Sequence, residues 1–222
     1  MSTSEKKNTI KHGSKGEKTK QHILNSAISV LAAHGIKGTT HRSIAKEADI
    51  QLSLTTYYFK DIQALIHQAF QLNSEKTIAL ASLTWQNAFN ILDKFSAADL
   101  KKSTIKQQLC DDFSAMASEY IFQKITTQAH SLAVEQLLFT EIQIAPELRE
   151  LAKQHKAALM APFLRLSQHF NKNSPHIDAD IMLTILTQLE YRHLSTPVDL
   201  IDKEELALMT HRIIAWVIGV KT

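Results

Sequence analysis

Five of the six residues from Ser53 to Tyr58, namely Ser53, Thr55, Thr56, Tyr57 and Tyr58, carry hydroxyls or phenols. Such groups donate and accept hydrogen bonds at short reach, which suits the groove of a DNA duplex. No cluster of acids, bases or metal ligands stands beside them. The eleven histidines form no HExxH pair, and none has a cysteine close in sequence that would complete a zinc site. Asp111, Asp112 and Glu119 share one stretch, and solvated charge explains them more simply than catalysis. The chemistry on offer is recognition rather than turnover. The expectation is a protein that is not an enzyme, with no cofactor and no metal.

The elements around these residues read as two short helices and a turn. A first helix is expected over 19–34, with Ile23, Leu24, Ala27, Ile28 and Leu31 on one face. Gly35 follows where a left-handed cap is wanted. Thr40 is a good N-cap for a second helix reaching about residue 48, whose Ile44 and Ala45 face inward. Ala48, Asp49 and Ile50 form the turn, with Ile50 plugging the junction. A third helix covers 51–58, and Phe59 closes a small core. In a helix-turn-helix the second helix of the motif enters the major groove while the first crosses the backbone.

Charge follows the same division. Residues 1–70 hold ten Lys and Arg against five Asp and Glu, while the rest hold fifteen against seventeen. A basic end fits a polyanionic partner. Residues 1–16 are polar and lysine-rich and are expected to be a disordered arm. That arm either lies in a neighbouring minor groove or serves only as a solubilising tail.

The remainder is expected to be helical. Glycines number 5 and prolines 4 in 222 residues, too few for many turns, and no sustained alternation argues for a sheet. Asp61 caps a fourth helix from residue 62 that carries Leu65, Ile66, Ala69 and Phe70 and continues past Trp85 to Leu92. Further helices are expected over 104–126, 129–144, 146–171, 179–194 and 203–220, with Pro162 kinking or breaking the third of these. Asp202 and Glu205 have capping-box spacing, flanked by Ile201 and Leu206 at staple positions. The last two helices suit a four-helix bundle across a two-fold axis, with Ile181, Ile185, Leu189, Leu206, Met209, Ile213, Trp216 and Val217 at the interface. Cys110 is the single cysteine, so there is no disulfide framework. No signal peptide and no membrane-spanning run are evident, and a cytoplasmic protein without membrane partners is expected.

Residues 18–66 resemble the TetR family of transcriptional regulators. The resemblance rests on the first-helix pattern of Ile23, Leu24, Ala27, Leu31 and Gly35, on a T-T-x-R-x-I-A-x-x-A pattern at Thr39, Thr40, Arg42, Ile44, Ala45 and Ala48, and on the TTYYF run from Thr55 to Phe59. Three positions depart from the family pattern. Asp49 replaces a usual glycine, Thr56 replaces an aromatic, and Ile62 stands where a phosphate-binding cation is common. Either Lys60 takes over that contact or it is lost.

The resemblance implies an all-α fold: a three-helix helix-turn-helix domain over 17–66 and a larger ligand-binding and dimerisation domain over 67–222. It implies phosphate contacts from Thr40 and Arg42, base-edge contacts from Gln51, Leu52, Ser53 and Thr56, and backbone contacts from Tyr57, Tyr58 and Lys60. Leu52 is apolar and suits a thymine methyl. The implied partner is double-stranded DNA, bound by a homodimer at a pseudo-palindromic operator. A small-molecule inducer in the body would tilt the helix that links the domains and release the DNA, since repression is the family's commoner habit. Trp85, Phe89, Phe113, Met116, Tyr120, Phe122 and Phe139 are candidate pocket residues, and their character suggests an uncharged or mostly apolar ligand. Two other readings stand beside this one: a DNA-binding regulator controlled by a protein partner, and a helical enzyme.

Overall fold

The computed structural model describes residues 4–141 and 145–221, with side chains from Lys15 onward. Among the described residues are nine α-helices, three short 3-10 turns and no strand, as the all-α reading expects. In chain order the helices are α1 (Ser4–Gly38), α2 (His41–Glu47), α3 (Leu52–Tyr58), α4 (Ile62–Leu92), α5 (Ser103–Thr127), α6 (Ala129–Thr140), α7 (Arg149–Phe170), α8 (Pro175–Tyr191) and α9 (Lys203–Ile218).

α1 begins well before residue 19. Extending a formed helix is cheap compared with nucleating one, and Glu5, Lys6, Lys7, Glu17 and Lys18 are adequate helix formers. Residues 4–16, expected as a disordered arm, are therefore helical backbone continuous with α1. Residues 1–3 of that arm lie outside the described residues. At the other end Gly35 has φ 65° and ψ −174°, a region essentially closed to side-chain-bearing residues. The positive φ is the one expected of a cap, but the chain kinks there and regains helical bonding as far as Gly38. A Cβ at Gly35 would meet nothing within 4 Å, so the requirement is one of backbone conformation alone. Gly35→Ala is expected to cost about 1–3 kcal/mol, read as a lowered thermal midpoint.

The helix-turn-helix is held by local bonds. Thr40 Oγ1 accepts from the Ser43 amide at 3.1 Å while Ser43 Oγ accepts from the Thr40 amide at 2.8 Å, a complete capping box. Asp49 sits at φ 50° in the turn, the one non-glycine residue with positive φ among the described residues. The Asp49 substitution is thus tolerated as its short polar side chain permits. His22 bonds the Ala48 carbonyl at 2.8 Å and ties α1 to the turn.

Two apolar cores lie along α4, whose 31 residues span about 46 Å. Its first half contributes Leu65, Ile66, Ala69 and Phe70 to a core with Ile23, Leu31, Ile44 and Phe59. Its second half contributes Ala88, Phe89 and Leu92 to a core with α5, α8 and α9. The first core is completed by Val134 and Leu138 of α6, by Leu148, and by Ala152 of α7. A unit ending at residue 66 would leave this core open, because α6 packs directly on α1.

Several boundaries move for local reasons. α6 ends at Thr140 with Glu141 as its C-cap, and residues 142–144 of its expected span lie outside the described residues. Pro146 opens a 3-10 turn (Pro146–Leu148) rather than α7 itself. Pro162 stands inside α7 without breaking it. Packing on both sides overrides the missing amide, since buried His155 bonds Ser74 at 2.7 Å and Phe163 meets Trp85 edge-on at 4.7 Å. α8 starts at Pro175, a favoured first helical position, four residues before its expected start. Asp202 caps α9 by accepting from the Glu204 and Glu205 amides. The return half of that box is absent, because the Glu205 carboxylate accepts from Arg192 at 2.8 Å instead. α9 stops at Ile218, where Gly219 takes the left-handed cap at φ 76°.

Candidate nucleic-acid interface and buried cavity

α3 presents one inward and one outward face. Thr55 is fully buried, with its hydroxyl donating to the Leu52 carbonyl at 2.8 Å, and Phe59 is buried one turn on. Thr55 is therefore not available to a partner, unlike its neighbours in the hydroxyl run. Gln51, Ser53, Thr56 and Lys60 are exposed, Leu52 is 42 % exposed, and Tyr57 is 76 % exposed. Tyr58 is half-buried against the first core and meets the Tyr57 ring edge-on at 5.1 Å. Arg42 and Thr40 are exposed at the start of α2, and the Thr40 hydroxyl is engaged in its cap. The expected contact residues thus lie at the solvent side of one short motif. Leu54, 37 % exposed, joins Leu52 on the outside. Its apolar character hid it, although the spacing of Thr55 and Phe59 marks the inward face.

The body holds a cavity of about 550 Å³ that is partly open to solvent. Trp85, Phe89, Phe113, Met116 and Tyr120, all candidate pocket residues, line it. Phe139 and Phe122 do not. Phe139 packs beside the His155 ring at 5.7 Å, and Phe122 lies under the Lys203 ammonium at 3.7 Å. α7 supplies further wall residues, with Phe163 edge-on to Trp85 and the Arg165 guanidinium 3.8 Å over the Phe89 ring. Arg165 also donates to both oxygens of Asp93, at 3.2 and 3.1 Å.

One end of this cavity is charged, contrary to the expectation of a mostly apolar site. Lys124, Glu135 and Glu190 line it and are all buried. Lys124 Nζ stands 2.6 Å from Glu190 Oε2 and 3.1 Å from Glu135 Oε2. The second Glu135 oxygen is 3.4 Å from His155 Nε2. Both Glu135 contacts are at ion-pair distance, but neither oxygen has a hydrogen bond of good geometry. The sequence signal was present but easily overlooked. Lys124 continues the Phe113, Ala117 and Tyr120 stripe of α5, and Glu190 continues the Met182 and Leu186 stripe of α8. A charged residue on an apolar stripe is paired or functional.

The charges set one another's protonation. Burial alone would lower the Lys124 pKa, but the carboxylates of Glu190 and then Glu135 outweigh it and hold the ammonium charged. For Glu190, burial wins over the Lys124 charge and pushes the carboxyl up to about 7. For Glu135, Lys124 and His155 together outweigh burial, and its pKa is lowered. Burial likewise pushes the Tyr120 phenol up to about 12. A raised folded-state pKa means that the Glu190 contribution to stability is full below about pH 4.5 and is lost as pH rises through about 7. Glu190→Gln mimics the protonated form. It is expected to match the parent near pH 5 and to exceed it by about 2–3 kcal/mol above pH 8 in urea melts, with equal stability at both pH values counting against the assignment.

Solved structures with this architecture include a transcriptional regulator from Rhodococcus sp. Rha1, at TM-score 0.67 and 12% identity over 90% of this chain and 96% of that one. A chain from Mesorhizobium loti assigned to the TetR family of transcriptional regulators aligns at TM-score 0.63 and 14% identity, over 92% and 96%. The multidrug binding protein EbrR complexed with ethidium aligns at TM-score 0.56 and 21% identity, over 88% and 97%. The chain has the TetR-regulator fold. No family model and no curated protein matches the sequence.

In this TetR fold α8 and α9 close the carboxyl-terminal end. Of the residues expected at an interface there, Leu189, Leu206, Ile213 and Val217 are buried within the chain's own core. α9 packs chiefly on α5, so its inward stripe is already occupied. Ile181 and Met209 are half-buried, while Ile185 and Trp216 are exposed, Trp216 at 51 %. Leu208, 71 % exposed, adds to this outer strip and was not expected. Ile185, Leu208, Met209, Arg212 and Trp216, with the edge of the largely buried Ile213, together line one shallow apolar groove.

Folding also brings together groups that are far apart in sequence. Cys110 Sγ lies 3.6 Å from His211 Nε2, which is 3.4 Å from Asp111 Oδ1. The reasoning that no histidine has a cysteine neighbour holds along the sequence and fails in space. The contact gives a buried thiol a polar partner across the α5–α9 seam. Among the described residues no helix is long and apolar enough to cross a membrane.

Proposed function

We propose that this protein is a ligand-responsive transcriptional repressor that binds a pseudo-palindromic DNA operator as a homodimer and leaves it when a small molecule fills the cavity. The observation that carries this reading is α4. Its first half builds the core under the helix-turn-helix, and its second half places Trp85 and Phe89 in the cavity wall. A ligand that favours one setting of α4 changes where α3 sits, and it shifts binding only by its difference in affinity for the two settings.

α6 gives a second route. Glu135 lines the cavity, while its neighbours Val134 and Leu138 belong to the core shared with α1. The likeness to EbrR, whose solved form holds ethidium, supports a small molecule in this place.

In the dimer, the outer strip of α8 and α9 meets its symmetry mate. This spaces two copies of α3 for half-sites roughly 34–36 Å apart. Arg42, Tyr57, Tyr58 and Lys60 hold the backbone, and Gln51, Leu52, Ser53 and Thr56 read base edges.

Selection of bound sequences from a random duplex pool tests the reading, with an inverted repeat at one-turn spacing as the expected product. Tyr57→Ala should then weaken binding to every selected sequence alike, by roughly tenfold. Enrichment of no sequence at low salt, or an altered base preference without loss of affinity in Tyr57→Ala, overturns it.

A further inference from the structure

We propose that Cys110, Asp111 and His211 form a binding site for one zinc ion at the seam between α5 and α9. None of the three lines the cavity, so the site stands or falls independently of the regulator reading.

The ligand atoms converge. His211 Nε2 stands 3.6 Å from Cys110 Sγ and 3.4 Å from Asp111 Oδ1, and all three atoms lie within 4.8 Å of one another. In tetrahedral zinc sites the bonds are about 2.3 Å to sulfur and about 2.0–2.2 Å to nitrogen and oxygen. At the tetrahedral angle those bonds set ligand-to-ligand edges of about 3.6 Å from sulfur to nitrogen and about 3.3 Å from nitrogen to oxygen. Two of the three edges are therefore already in place. The third closes by rotation of the Asp111 side chain, which is more than half exposed.

Hydrogen bonding accounts for these contacts less well. One ring nitrogen faces two groups, and its single proton or lone pair serves only one of them. The 3.4 Å approach to Asp111 is beyond the ordinary N–H···O range of about 2.7–3.2 Å. An ion between the three atoms serves all of them at once.

The donor set names the metal. Thiolate and imidazole together suit zinc, whereas calcium and magnesium want oxygen ligands. Charge agrees. A thiolate and a carboxylate bring two negative charges and imidazole brings none, so a dication leaves the site neutral. Neutrality matters because Cys110 is fully buried, and a net charge beside it would be desolvated. Ligation needs the thiolate, so the Cys110 proton passes to solvent as the sulfur–zinc bond forms.

The setting suits a metal as well. The ligands stand on two regular helices that pack on each other, which holds them more firmly than loops would. Gln107 Nε2 donates to Asp111 Oδ1 at 3.0 Å and restrains the carboxylate from outside. Three protein ligands leave a fourth position for water, on the side where His211 and Asp111 reach solvent. The chain around the site already has an apolar core with Leu109, Leu206 and Ile213. The ion therefore pins α5 to α9 and stabilises the fold by mass action, without being required for folding.

The test uses the untagged full chain, stripped with a chelator and kept reduced with a phosphine. Titration with cobalt, a coloured substitute for zinc, should give one equivalent per chain, the visible bands of tetrahedral coordination and a near-ultraviolet sulfur-to-cobalt charge-transfer band. Zinc should bleach those bands, because it binds such sites more tightly, and excess magnesium or calcium should not. Cys110→Ser should abolish the charge-transfer band. His211→Gln, at a part-exposed position, should keep the fold and weaken both metals at least tenfold, and it decides the matter if Cys110→Ser fails to fold. Zinc should raise the thermal midpoint of the parent but not of His211→Gln. No saturable uptake, octahedral cobalt without the charge-transfer band, or unchanged affinity in His211→Gln overturns the inference.

Discussion

Lys124→Met is expected to destabilise the protein by about 3–5 kcal/mol near neutral pH. Lys124 is buried between Glu190 at 2.6 Å and Glu135 at 3.1 Å. Methionine fills a similar volume, so the loss is one of charge and not of packing. It leaves two carboxyl groups facing each other with no cation except what His155 offers Glu135. The folded protein then protonates one or both, which raises their folded-state pKa values. Their contribution is intact below the unfolded carboxyl value and lost as pH rises through the raised one, so the penalty deepens from acid to alkaline pH.

Urea unfolding at pH 5 and pH 8 checks the sign. Adding Glu135→Gln and Glu190→Gln to Lys124→Met should restore most of the stability, because a buried ionic group removed as a whole costs far less than one broken in half. A Lys124→Met protein as stable as the parent at pH 8 would mean that the cluster is hydrated in solution, and the charge argument for the cavity would go with it.

Trp216→Asp is expected to weaken self-association by a hundredfold or more, about 3 kcal/mol, while leaving the folded protomer intact. Trp216 is half exposed and lies beside Ile185, Leu208 and Met209 in an apolar groove. Large aromatics at the centre of an interface carry a disproportionate share of its energy, and a buried carboxylate there finds no partner other than Arg212. Sedimentation equilibrium of the variant should show monomers where the parent shows dimers. Operator affinity should fall in parallel, because a single α3 of seven residues reaches few base edges. An unchanged dimer would move the interface elsewhere. Val217→Asp is the contrasting case. Its position faces the chain's own core, so it should unfold the protomer rather than separate the pair.

The charged end of the cavity sits at the meeting of elements that also carry the helix-turn-helix. Ser74 of α4 bonds His155 of α7, His155 faces Glu135 of α6, and α6 packs on α1. In the proposed response a change of charge at Glu135 or Glu190 passes through these contacts to the helices that carry the helix-turn-helix. This is the physical content of the proposed response: one bistable packing of α4 and α6, biased at one end by the ligand and at the other by DNA.

The sequence by itself determined the local design of this protein. The helical class, the Thr40 cap, the left-handed Asp49 turn, the short α3 and the Asp61 and Asp202 caps all follow from residue types a few positions apart. Such features are settled by steric limits and hydrogen bonds within a turn or two of helix, so neighbouring residues suffice to read them. What only the tertiary structure decided is which apolar stripe meets which. It turned Leu206, Ile213 and Val217 inward and left Leu208 and Trp216 outside. It joined α6 to the core of the helix-turn-helix, and it kept α7 continuous through Pro162. It also gathered Lys124, Glu135 and Glu190, which are far apart in sequence, into one buried cluster. Periodicity tells that a face is apolar but is silent on its partner, because burial is non-directional and many pairings satisfy it. The pairing is chosen by packing of the whole chain, and with it the charge of the cavity.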